Sequence, residues 1–173
     1  MEKKAKFILI FCLLFCVTGS LFALDLFPLA NPLISFSPEL TGHTRTGWAI
    51  GGGLSFGFDL TSMFQTGLRT AFFHNLYTVG ALEIQAYIRS WLFKFSKTDG
   101  LFFQTELGNV LFFEYGETFP SLLGGWAVGW HLNYSDKWFF EPTLRLGLPH
   151  VWGINVAIGY KFTSGSGGGS YVE

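Results

Sequence analysis

The stretch Thr118–Ser135 carries no Asp, Glu, Lys or Arg, yet it cannot be a membrane helix. Pro120, Gly124, Gly125, Gly129, His131 and Asn133 interrupt it, and residues of that kind make a poor helix interior. Read with a period of two, the stretch divides cleanly. Trp126, Val128, Trp130, Leu132 and Tyr134 fall on one face, with Gly125, Ala127, Gly129, His131 and Asn133 on the other. Strict alternation of this kind is the mark of a strand. It constrains the chain more than any single motif, because it recurs along its length.

Seven further segments alternate in the same way. The clear ones are Gly47–Leu60, Leu82–Leu92, Phe140–Leu148 and Ile154–Phe162; Ile34–Thr41, Phe64–Phe73 and Leu101–Phe113 are weaker versions. Polar turns at Asp59–Ser62, Ser96–Gly100 and Ser135–Lys137 separate them, with further connections at Gly42–Thr46, His74-Asn75, Glu114–Ser121 and Pro149-His150. Eight strands joined by short connections predict an all-β, up-and-down antiparallel barrel.

Composition decides which face is outside. Charged residues are only 13% of the chain and aromatics 19%, whereas a soluble domain carries about 25% charge. The polar faces of the strands are mostly Gly, Ala, Ser, Asn and Gln, which suit a crowded barrel interior better than a surface in water. A soluble lipocalin-like binder would turn its apolar faces inward; a transmembrane barrel turns them to lipid. The reading favoured is the eight-stranded antiparallel transmembrane β-barrel. Rings gather toward the strand ends, as girdles at two headgroup interfaces require. Trp91, Phe102, Phe103, Trp130, Tyr134, Trp138, Tyr160 and Phe162 lie toward one end. Trp48, Phe72, Phe73, Tyr77, Phe112, Phe113, Trp126 and Trp152 lie toward the other.

Residues 1–23 read as a secretory signal peptide: Lys3, Lys4 and Lys6, an apolar run from Phe7 to Val17, and Ala23 before a cut. An uncleaved anchor is the alternative. Cys12 and Cys16 each follow Phe, where a lipoprotein site needs a small residue. Cleavage removes both cysteines with three lysines and Glu2, leaving a net charge of about −3 and no basic patch for nucleic acid. The barrel then occupies residues 24–162, and the Gly/Ser-rich residues 163–173 form a flexible tail.

The pattern resembles the small eight-stranded outer-membrane barrels, the OmpA transmembrane domain, OmpX and OmpW superfamily, over residues 31–162. In the last strand Asn155, Ala157, Tyr160 and Phe162 are similar to the assembly signal read by the barrel-insertion machinery. Ala157 replaces the usual Gly, and the terminal aromatic is followed by the tail. The resemblance implies residence in the bacterial outer membrane, contact with its lipid, the insertion machinery as a partner during biogenesis, and a monomer.

Inward-facing charges are Glu39, Arg69, Glu83, Arg89, Glu106, Glu141, Arg145 and Lys161. Buried charges must pair, so these predict a lumenal salt-bridge network that plugs the barrel. In the resembled family such a network can also gate a narrow pore. A lipid-modifying enzyme is the third reading. His131-x-Asn133 with Glu141 is similar to a deacylase pattern, but Asn133 stands where the nucleophilic Ser belongs. His43, His74 and His150 are placed in outer loops in contact with solvent, without metal-ligand spacing. Gly51–Gly53 lies within a strand and is no phosphate loop. No catalytic residue, metal ligand or cofactor is assigned. The expected role is structural or surface-interactive, with the loop Glu114–Ser121 as the longest outer contact.

Overall fold

A computed structural model of the chain describes residues 31–45, 47–75, 79–94 and 99–162. The signal peptide, the tail, Tyr77 and residues 96–98 of one turn lie outside the described residues. Eight strands follow one another: β1 (Pro32–His43), β2 (Gly47–Asp59), β3 (Phe64–Asn75), β4 (Gly80–Lys94), β5 (Gly100–Glu114), β6 (Glu117–Asn133), β7 (Trp138–Leu148) and β8 (His150–Lys161). Each pairs antiparallel with the next, and β8 pairs antiparallel with β1, so the sheet closes into a barrel. Closure leaves no free sheet edge around the wall, which is the only way a sheet can stand in hydrocarbon.

The alternation seen in the sequence becomes two opposite surfaces. Phe36, Ile50, Leu54, Ile88, Leu107, Leu144 and Ile158 project outward and are exposed. Ser35, Ser37, Gln65, Gln85, Gln104 and Asn155 project inward and are buried, together with seven charged side chains. The polar surface is therefore the interior one, and the lipocalin-like arrangement with an apolar lumen is excluded.

Small residues make room for the large inward ones. Gly57 on β2 faces Gly67 on β3, and the Tyr87 hydroxyl from β4 is seated on the pair. A Cβ added there would come within 2.2 Å of that oxygen at Gly57 and 2.5 Å at Gly67. No side chain fits between ring and wall.

The segment Glu114–Ser121, expected as the longest outer loop, is instead mostly strand. Glu114 pairs with Glu117 across a two-residue turn, Tyr115-Gly116. Both turn residues have positive φ, 50° and 81°, the backbone a tight hairpin demands. Its β6 arm rises above the neighbouring wall: Gly124 is the outermost β6 residue paired with β7, opposite Leu148.

Candidate functional site in the barrel lumen

Arg145 on β7 is the hub of the lumen. It is almost wholly buried, and its guanidinium reaches carboxylates from three other strands. Nη1 donates to Glu39 Oε1 at 2.7 Å; Nε and Nη2 donate to Glu106 Oε2 at 3.0 and 2.8 Å. Nη2 also lies 3.2 Å from Glu83 Oε2 and 3.1 Å from Gln85 Oε1. Arg69 adds a second cation, with Nη2 at 2.5 Å from Glu39 and Nη1 at 3.5 Å from Glu83. Asn155 Nδ2 completes the shell of Glu39 at 3.3 Å.

A second group sits toward the termini. Arg89 holds Glu141 through two parallel bonds of 2.6 and 3.0 Å, and its Nε donates to Gln104 at 3.0 Å. Such a fork is the strongest form of the pair. Gln104 in turn donates to Glu106 at 2.8 Å, so one amide joins the two groups. His131 Nδ1 lies 2.5 Å from Glu141 Oε1. Between the groups a void of about 30 Å³ remains, space on the scale of a water molecule or two. Strands that share no backbone bonds are thus tied across the barrel, at a level where an unpaired charge would cost several kcal/mol.

Above Arg145, at the end far from the termini, the lumen turns apolar. Ala49, Ala71, Phe73, Val79, Ala81, Val110, Phe112 and Leu123 pack together, with Phe119 against them. Below Arg89, Trp91 stands edge-on to Phe102 and His131, with centroids 6.0 and 5.4 Å apart, and Phe139 stacks on His131 at 4.6 Å. Beneath them a cavity of about 270 Å³ opens at the termini end.

Several placements differ from the sequence reading. Trp91 does not belong to a girdle: at 8% exposure it points into the lumen, as do Phe73, Phe102 and Phe112. Trp91 shares its parity with Arg89 on β4, and that parity is the signal that clustering by strand end overrode. Lys161 lines the cavity mouth and donates to Asn133 Oδ1 at 2.6 Å, rather than joining the carboxylates. His43 and His150 are not solvated loop residues; both are buried. His43 Nε2 bonds Glu83 Oε1 at 3.0 Å, and His150 Nδ1 lies 3.8 Å from the same oxygen. A register shift after Gly42, opposite Trp152 and His150, turns His150 inward against the strict alternation.

Other aromatics expected in the girdles face outward. Trp48 and Trp152 pack edge to face over Gly42 at 4.9 Å, at the far end. Trp126 and Trp130 are exposed on β6, and Tyr134 lies in the turn after it. Trp138, Tyr160 and Phe162 form a chain of rings, 5.2 Å between successive centroids, at the termini end. Of the assembly-signal positions, Asn155 and Ala157 face the lumen and Tyr160 and Phe162 belong to this outer chain.

No protein-family profile and no curated protein sequence matches the chain. Solved structures do. Neisserial surface protein A superposes with a TM-score of 0.56 at 10% identity, covering 77% of this chain and 97% of its own. The N-terminal barrel domain of Pseudomonas aeruginosa OprF gives 0.52 at 11% identity, over 77% and 99%. The Yersinia pestis outer membrane protein Ail, in a phospholipid nanodisc, gives 0.52 at 11%, also over 77% and 99%. With its closed meander, apolar exterior and charged lumen, the chain has the fold of the small eight-stranded outer-membrane barrels, the OmpA/OmpX-like class.

Proposed function

We propose that this chain is an integral protein of the bacterial outer membrane, monomeric and non-catalytic, with a structural or surface-interaction role and a sealed lumen. The observation that carries the reading is the double closure of the barrel. The Arg145 group crosslinks four strands at mid-height, and the apolar layer around Phe73 and Phe112 fills the far end. Ions would have to break one and dehydrate through the other.

The outward surface supports the membrane setting, since exposed Leu, Ile, Phe and Trp are costly in water and at home in lipid. The secretory leader agrees. In this setting the termini face the periplasm, lipid covers the wall, and the insertion machinery reads Asn155, Ala157, Tyr160 and Phe162 during biogenesis. The β5–β6 hairpin, with Tyr115 at its tip 84% exposed, is the surface best placed to meet an outer partner.

The non-catalytic reading rests on where the deacylase-like constellation of the sequence points. His131 faces the lumen at 2% exposure, Glu141 is held by Arg89, and Asn133 is engaged by Lys161. None of the three reaches the lipid-facing wall.

Single-barrel recording in planar bilayers tests the sealed lumen. The wild-type chain gives no steady current above the lipid baseline. A reproducible unitary conductance would overturn the reading in favour of a narrow pore, and a change in that conductance on neutralising Arg89 or Glu83 would name its gate.

A further inference from the structure

We propose that the cavity at the termini end is a binding site for small organic ammonium ions. The inference goes beyond the reading above and does not depend on which compartment the mouth faces.

One acceptor lining the cavity lacks a donor. Gln65 is only 1% exposed. Its Nε2 donates to Asp59 Oδ1 at 3.1 Å, which fixes the amide so that Oε1 is the remaining atom. That oxygen is buried without a hydrogen-bond partner among the described residues. A buried acceptor left unpaired is destabilising, and a ligand that donates to it would recover that cost. His131 borders the same cavity and uses Nδ1 on Glu141.

The charge at the mouth selects the kind of donor. Asp59, Asp99 and Asp136 line it against Lys94 and Lys161. Both lysines are already engaged: Lys161 donates to Asn133 Oδ1, and Lys94 to the Ser62 carbonyl. Three carboxylates against two ammonium groups leave the mouth net negative, which disfavours an anion. A neutral polyol could satisfy Gln65 but would gain nothing from the aspartates. An ammonium offers three donors and a positive charge; the Trp91 ring on the cavity wall already faces a cation, the Lys94 ammonium at 5.4 Å from its centroid. A volume of about 270 Å³ suits a short amine and is too small for a lipid.

The test uses the full chain folded in nanodiscs and isotopically labelled, titrated with 1,4-diaminobutane at constant ionic strength. The Gln65 side-chain amide and the His131 ring should shift saturably. 1,4-Butanediol should bind at least about tenfold more weakly, Asp59→Asn should weaken the diamine about tenfold, and Lys161→Met should tighten it. Gel migration without heating confirms that each variant is folded. The absence of saturable shifts in the wild-type chain would overturn the proposal, as would equal binding of diol and diamine. Unchanged affinity in a folded Asp59→Asn variant would do the same. Should Asp59→Asn fail to fold, the diol comparison and Lys161→Met decide alone.

Discussion

Arg145 Nη1 and Glu39 Oε1 lie 2.7 Å apart across the lumen and join β7 to β1, two strands that share no backbone ladder. The barrel wall is held by hydrogen bonds between neighbours; its cross-section is held by this hub. Arg145→Met removes the hub's cation and leaves Glu106 without its arginine partner. The expected loss is about 3–5 kcal/mol of folding stability, the scale of a broken buried pair. Urea titration of the lipid-embedded chain, followed by tryptophan emission, reads it. Adding Glu106→Gln to Arg145→Met should recover part of the loss, since one fewer buried carboxylate then lacks a cation.

Alanine substitution should separate two glycines. At Gly159 an added Cβ would lie 2.0 Å from the Phe139 ring, whereas at Gly124 it meets only a Leu107 methyl at 4.0 Å. Gly159→Ala must push a buried ring against His131 and should cost about 1–3 kcal/mol. Gly124→Ala should be near neutral. The two midpoints in the same denaturation assay make the comparison.

Tryptophan quenching separates wall from lumen. Trp126 is 60% exposed on the outer face and Trp91 8% on the inner. In single-tryptophan variants, lipids brominated along the acyl chain should quench Trp126 strongly and Trp91 weakly. Equal quenching would put Trp91 back in a lipid-facing girdle.

A charge on the wall should cost according to depth. Leu144 is outward at the middle of β7, and Phe162 lies just past the end of β8. Leu144→Lys is expected to lose about 2–4 kcal/mol and Phe162→Lys about 0–1. Both are read as shifts in the folded fraction after refolding into bilayers of fixed thickness.

Much of this architecture is legible in period two alone. The parity that sets Trp126 and Val128 against Ala127 and Gly129 places the wall. The same parity selects Glu39, Arg69, Glu83, Arg89, Glu106, Glu141 and Arg145 as inward side chains that meet in the lumen. Which carboxylate meets which arginine is not legible, because it depends on strand tilt around a closed barrel. The apolar far end escapes for a different reason. Phe73 and Phe112 are inward residues with outward chemistry, and in a one-dimensional reading they pass for girdle. His150 escapes because the register shift between Gly42 and His43 leaves Val151 as an extra residue on β8 and changes parity there, while Pro149-His150 reads as a connection. The Tyr115-Gly116 turn hides among Glu114, Glu117 and Pro120, which read as loop by composition.

The central claim is a barrel with its apolar face turned to lipid. Cell fractionation of the expressed full chain, followed by electrophoresis with and without boiling, tests it most directly. The account predicts recovery in the outer-membrane fraction and a compact, faster band that shifts on boiling. Recovery in the soluble periplasm, with one band indifferent to heat, would contradict it.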